Sequence, residues 1–224
     1  MGKLVVSAFM TLDGVVQAPG GPGEDPDGGF EHEGWSVPFA DEQLGRIMAE
    51  QFAGMEALLL GRRTYEIFAS YWPRVTDPAD PIASRLNAMP KYVASRTLRE
   101  VTWHGSQLLG GNVPDAVADL KRRLAGELNV QGSRGLIATL QDYDLVDEYR
   151  LFIEPVVLGT GKRLFAAGTL PTSLRLTGTS VGGKGAIYCT YETAGRPDYG
   201  TFALDENAQE VAEEVTGTPR TSRP

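Results

Sequence analysis

The feature that most constrains this chain is an alternation of short apolar, strand-forming runs with amphipathic helical patterns. Lys3 to Met10 is β-branched and apolar and stops at the turn signal Leu12-Asp13-Gly14. Ala57-Leu58-Leu59-Leu60, Tyr92-Val93-Ala94-Ser95 and Leu128-Asn129-Val130 read as further strands, and Glu148 to Leu158 as a longer one. Between them lie patterns of 3.6-residue period. One runs from Pro38 through Leu44, Ile47, Met48, Phe52 and Met55, and a second from Arg63 to about Tyr71. A short helix is expected around Ile82 to Asn87, and Asn112-Val113-Pro114-Asp115 opens another. Leu136, Ile137 and Leu140 belong to the next helix, with Ser133 as its expected cap. Leu174 to Val181 and Ala186 to Glu192 form an expected hairpin around Gly182-Gly183. Strands alternating with helices and closed by a hairpin imply an α/β fold, its sheet mixed but mostly parallel.

Residues 19–34 interrupt the alternation with Pro19, Gly20, Gly21, Pro22, Gly23 and Pro26 among several acids, and a long mobile loop is expected there. The chain divides into a domain over residues 1–193 and an acidic appendage over 194–224, where Ala208, Val211, Ala212 and Val215 fit one short helix. The formal charge is −8, of which residues 24–33 carry −5 and residues 198–224 carry −4, so the remainder is +1. Such a balance argues against a general nucleic-acid or anionic-membrane binder. No apolar run approaches the roughly 18 residues of a membrane span, and no signal-peptide pattern opens the chain. A cytoplasmic location is the expectation. Cys189 is the single cysteine, which leaves no intramolecular disulfide and no Cys-rich zinc site. No metal site is expected.

In a parallel α/β sheet, ligands bind beyond the carboxyl ends of the strands. Three such ends carry suitable chemistry. Gly61-Arg62-Arg63-Thr64 offers close backbone approach, two guanidinium groups and a hydroxyl, a set suited to phosphate. Ser95 and Arg96 repeat hydroxyl plus guanidinium, and Gln131-Gly132-Ser133-Arg134-Gly135 is a glycine turn feeding a helix. The last lacks the Gly-x-Gly-x-x-Gly spacing of an ordinary Rossmann domain. Together the three ends point to an anionic nucleotide. No Ser, His and Asp stand in a nucleophilic arrangement, and His32 and His104 read as surface residues. Asp13 and Asp41 are the candidate catalytic acids, although Asp13 also fits the hydrogen bonding of its own turn and Asp41 the first turn of a helix.

These residues resemble a known family. Thr11-Leu12-Asp13-Gly14, Gly61-Arg62-Arg63-Thr64 and Gly132-Ser133 resemble the dihydrofolate reductase-like fold, a three-layer αβα arrangement. Glu154-Pro155-Val156-Val157-Leu158-Gly159-Thr160-Gly161-Lys162 with Leu164-Phe165 narrows it. This run is similar to the reductase (C-terminal) domain of the riboflavin-biosynthesis deaminase-reductase, in a small standalone bacterial form, over about residues 3–193. The resemblance implies a homodimeric, NADPH-dependent reductase acting on a ribosylaminopyrimidine phosphate. It implies Arg62 near the 2′-phosphate, Thr64 at the pyrophosphate, and Ser95 and Arg96 at the adenosine end. Gly132, Ser133, Arg134 and Gly135 would cover the pyrophosphate and nicotinamide ribose, with Val16 and Gln17 in the loop over the nicotinamide. Where dihydrofolate reductases carry an acid two residues after Trp-x-x-Pro, this chain has Ala40, and Asp41 is displaced by one. Dihydrofolate reduction, with Asp41 as proton-relay acid, is therefore the rival activity. A non-catalytic nucleotide binder on the same fold is the third reading.

Overall fold

The computed structural model describes residues 2–202; the helix expected around residues 208–215, and most of the appendage, lie outside the described residues. Eight strands form one sheet in the order β4-β3-β2-β5-β1-β6-β8-β7. They are β1 (Lys3–Thr11), β2 (Met55–Gly61), β3 (Lys91–Ala94), β4 (Ser106–Leu108), β5 (Glu127–Gln131), β6 (Glu148–Glu154), β7 (Leu174–Val181) and β8 (Ile187–Thr193). The first six are mutually parallel, and the hairpin β7–β8 adds antiparallel to β6. This is the expected mixed, mostly parallel α/β sheet.

Interior parallel strands are covered on both faces and so read as continuous apolar runs. Leu58, Leu59 and Leu60 of β2 are all fully buried. Five helices do the covering: α1 (Glu42–Gly54), α2 (Arg62–Tyr71), α3 (Pro81–Ala88), α4 (Val113–Arg123) and α5 (Arg134–Asp142). On one face Val117 and Leu120 of α4 and Ile137 and Leu140 of α5 pack on Leu4, Val6, Leu59, Leu128 and Val130. On the other, Phe52 of α1, Tyr65 of α2 and Leu86 of α3 pack on Leu58, Leu60 and Val93. The result is the three-layer arrangement, with the carboxyl ends of β3, β2, β5 and β1 side by side.

Four details differ from the sequence reading. Helix α1 begins at Glu42 rather than Pro38, because Val37–Phe39 forms a separate 3-10 turn and Asp41 caps the helix. Strand β6 stops at Glu154, since Pro155 has no N–H to continue the ladder. It is also an interior strand, paired to β1 and β8, so its backbone is unavailable as a dimer edge. The three-residue edge strand β4 is too short to leave a pattern. Ser133 occupies the N-cap position of α5, but its hydroxyl makes no capping bond.

Residues 19–34, expected to be mobile, are closely anchored. Phe30 and Trp35 are buried with Val15 and Ala18. Glu33 accepts hydrogen bonds from the amides of Gly23 and Asp25, and the Trp35 indole donates to the Gln17 carbonyl at 2.7 Å.

Candidate active site

The carboxyl ends of β2, β3 and β5 open into one cleft of ≈ 1090 Å³. All twelve residues expected to hold a cofactor line it. Gly61, Arg62, Arg63 and Thr64 come from the β2–α2 junction, and Ser95 and Arg96 follow β3. Gly132, Ser133, Arg134 and Gly135 form the β5–α5 turn, and Val16 and Gln17 follow β1.

Two of these turns are locked together. The Gly61 amide donates to Ser133 Oγ at 2.9 Å, and Thr64 Oγ1 lies 2.6 Å from the same oxygen. This use of the hydroxyl explains why it does not cap α5. Gly132 and Ser133 both have left-handed backbones, with φ of +57° and +63°. Such a conformation is costly for serine and persists only where surrounding contacts hold it. Helix α2 has no side-chain cap, so its leading N–H groups face the cleft unclaimed by a side chain, beside Arg62 and Thr64. That is the arrangement in which helix termini receive phosphate oxygens. Ser95 is turned toward its own loop, accepting from the amides of Thr97 and Leu98.

Gln17 lines the cleft, but its side chain organises the loop. Its Nε2 donates to the carbonyls of Asp25 and Asp27 at 2.8 and 3.0 Å, and its Oε1 accepts from the Lys162 amide. Asp25 and Asp27 bind Arg63 of α2 and Lys162 of the segment after β6, and all four line the cleft. The loop is thus a strap fastened by ion pairs to two other segments of the cleft lining. These pairs hold the Asp27 carboxyl down at about 2, Arg63 first and Lys162 second.

Beyond the strap the cleft changes character. Phe9 of β1, Leu44, Met48 and Phe52 of α1, and Ile67 and Phe68 of α2 line this part, with Trp72 just after α2. Ser7, Ser36 and Gln131 add neutral polar groups.

The two carboxylates considered as acids do not line the cleft. Asp13 accepts from the Thr11 hydroxyl at 2.6 Å and from the amides of Leu158 and Gly159, and its carboxyl is held at about 2, chiefly by the Thr11 bond. Asp41 splits its oxygens between the Leu44 amide at 2.8 Å and the Gly183 amide at 2.7 Å. The Leu44 bond is the main reason its carboxyl lies below the ordinary range. The residues that line the cleft on either side of Asp41 are Ser36, Val37, Ala40 and Leu44. Both acids are bonded to backbone amides of neighbouring segments.

The sequence reading misses three groups here: the apolar lining, the Asp25–Asp27–Arg63–Lys162 strap, and Glu154. In sequence the apolar residues register only as a helix face for the core. Glu154 ends β6 with no exposed surface and neither carboxylate oxygen partnered among the described residues. Burial, then the Asp41 charge, pushes its carboxyl up to about 7.

The fold and cleft define a mixed, mostly parallel α/β protein with its candidate site across the carboxyl ends of the parallel strands. The chain belongs to the RibD C-terminal domain family, whose model matches residues 2–188. Two Bacillus subtilis (strain 168) proteins, both uncharacterized, are similar to it. YyaP is 28% identical over 199 residues, covering 86% of this chain and 96% of YyaP, and YwjB is 26% identical over 161 residues, covering 70% and 87%. Among solved structures, a candidate riboflavin biosynthesis protein from Shewanella sp. PV-4 aligns with a TM-score of 0.61 at 22% identity, over 86% of this chain and 99% of that one. A pyrimidine reductase-like protein from Corynebacterium diphtheriae aligns with a TM-score of 0.55 at 15% identity, over 86% and 92%. The Thermotoga maritima deaminase/5-amino-6-(5-phosphoribosylamino)uracil reductase also gives 0.55, at 11% identity, over 86% of this chain and 57% of that one. The fold is that of the riboflavin-pathway reductases.

Proposed function

We propose that this chain is an NADPH-dependent reductase, acting as a cytoplasmic homodimer on a planar heterocycle of the ribosylaminopyrimidine type. One observation carries the reading: a basic, hydroxyl-rich groove runs directly into an apolar slot within a single cleft. The groove residues fit the cofactor. Gly61 has no room for a side chain, because a Cβ there would stand 2.8 Å from Ser133 Oγ, and the bare backbone leaves the α2 amides accessible. Arg62, Arg96, Thr64 and the Gly132–Gly135 turn would hold its phosphates and ribose. When bound, NADPH supplies a hydride to an electrophilic carbon and leaves as NADP⁺. The apolar slot excludes water from one face of the substrate and holds its ring flat. As the C=N or C=O carbon is reduced, the bonding pair moves to the heteroatom, which takes a proton. The proton is assigned to solvent or an acid of the cleft lining, since neither Asp13 nor Asp41 lines the cleft, a placement that also weighs against dihydrofolate reduction through Asp41.

The Arg62→Ala/Arg96→Ala variant tests the assignment. Each guanidinium should contribute about 1 kcal/mol at these exposed positions, so the pair should weaken NADPH binding about thirtyfold by calorimetry. NADH, lacking the 2′-phosphate, should lose much less. Equal losses for both nucleotides would remove the 2′-phosphate assignment. Light scattering should give twice the 24.2 kDa chain mass; a monomer would remove the dimer from the proposal.

A further inference from the structure

We propose that the substrate end of the cleft takes an uncharged planar molecule and discriminates against its phosphorylated counterpart. This rests on the cofactor reading above, because it turns on which cations the cofactor uses. Five cationic side chains line the cleft: Arg62, Arg63, Arg96, Arg134 and Lys162. Two are held by the carboxylates of the strap, and Arg62 pairs with Glu66 on its own helix at 3.6 Å. Arg63 lies 2.7 Å from Asp25 and closer still to Asp27, and Lys162 lies 2.5 and 3.1 Å from the same two carboxylates. The other three stand at the ends of β2, β3 and β5, among the hydroxyls and glycines of the nucleotide groove.

Among the described residues no cationic side chain lines the cleft from β1 or α1, the elements that supply most of its apolar walls. The walls of the substrate slot are Phe9, Leu44, Met48, Phe52, Phe68 and Trp72. A phosphate carried into it would give up its hydration with no opposing charge, and an unpaired buried charge is costly by several kcal/mol. At the lip it would meet Glu24, Asp25 and Asp27, which also line the cleft. The flat aromatic and thioether walls, by contrast, suit a neutral ring, and Ser7, Ser36 and Gln131 can hydrogen-bond its polar edge.

The strap cannot release Arg63 and Lys162 cheaply. Gln17 grips the carbonyls of Asp25 and Asp27, the very residues that hold the two cations, while Glu33 holds the amides of Gly23 and Asp25. Phe30 and Trp35 anchor the loop in a buried cluster. Exchanging the two carboxylates for a ligand phosphate would mean dismantling this framework. The aspartates therefore act as specificity determinants: they occupy the cations that a phosphorylated substrate would need.

Two matched pairs test the proposal. They are 5-amino-6-(ribosylamino)uracil against its 5′-phosphate, and uridine against uridine 5′-phosphate. Each is titrated calorimetrically into the full-length protein with and without saturating NADP⁺, which cannot donate a hydride. At least one neutral member should bind, and at least tenfold more tightly than its anionic partner. In Asp25→Asn/Asp27→Asn, which frees Arg63 and Lys162, that preference should shrink to threefold or less, mainly by tighter binding of the anion. Equal or tighter binding of the anionic member to the parent protein overturns the proposal, as does failure of both neutral members to bind. An unchanged preference in the double variant overturns the role given to the aspartates. Failure of NADP⁺ itself to bind counts against the cofactor reading, while the titrations without nucleotide still decide the charge preference.

Discussion

Replacing Gly61 with alanine should weaken NADPH binding at least a hundredfold and lower the melting temperature, although the backbone at this position suits any residue. Its φ of −77° is ordinary for an L-amino acid, so the effect comes from space alone. The new Cβ would lie 2.8 Å from Ser133 Oγ and 3.0 Å from Ser133 Cβ, closer than such atoms approach. Ser133 cannot simply turn aside, because its hydroxyl is bonded to the Gly61 amide and lies against the Thr64 hydroxyl. Either the Gly132–Ser133 turn or the start of α2 must move. Overpacking of this kind costs about 1–3 kcal/mol, and the disrupted amide bond adds about 1 kcal/mol. For a chain of this size the melting temperature should fall by about 5–15 °C. Binding suffers more, because the two turns proposed to grip the phosphates are the two forced apart. The second-site variant Gly61→Ala/Ser133→Gly separates the causes. It removes both clashing atoms and puts glycine where φ is +63°, so stability should recover by more than half. Affinity should stay low, because the shared hydroxyl is gone. Gly61→Ala binding within threefold of the parent would show that the contact does not shape the nucleotide groove.

The legible parts of this molecule are those in which function and local structure use the same residues. Leu58–Leu60 reads as a buried strand because a parallel interior strand has no polar face. The adjoining Gly61-Arg62-Arg63-Thr64 reads as a ligand turn because a strand end must supply small, hydroxyl-bearing and charged groups in close succession. The strap is opaque in sequence because its pairs join residues far apart: Asp25 and Arg63 are separated by 38 positions, and Asp25 and Lys162 by 137. Along the chain Asp25 and Asp27 are acids scattered among Gly and Pro. Asp41 is half legible. Capping the Leu44 amide is a local habit of aspartate, but its second oxygen reaches Gly183, 142 positions away, and so turns from the cleft. Leu44, Met48 and Phe52 fit the helical period whether they face a core or a ligand. Here they do both, since Leu44 and Phe52 are buried and also line the cleft. Periodicity records that a face is apolar, and not what it touches.

Glu154→Gln should stabilise the protein at pH 8 and leave it nearly unchanged at pH 5. Glu154 is fully buried, neither of its oxygens has a partner among the described residues, and the buried Tyr188 hydroxyl is also unpartnered. Three titratable groups influence one another here. Asp41 is kept charged by backbone amides, Tyr188 is pushed up to about 12 mainly by burial, and Glu154 is pushed up to about 7. An unfolded glutamate titrates near 4.5. Between that value and about 7 the folded chain keeps a proton that the unfolded chain has lost, so rising pH favours unfolding. Glu154 therefore contributes a loss of stability that begins above pH 4.5, grows by up to about 1.4 kcal/mol per pH unit, and levels off above pH 7. The whole loss should be about 3 kcal/mol at most. Glutamine fills the same volume and carries no charge, so the variant should lack this slope. Its melting temperature should exceed the parent's by about 5–10 °C at pH 8 and converge with it at pH 5. The comparison isolates Glu154, because every other titrating group is common to both chains. If the two melting curves run parallel from pH 5 to pH 8, Glu154 is charged throughout and the buried carboxyl must have found a partner.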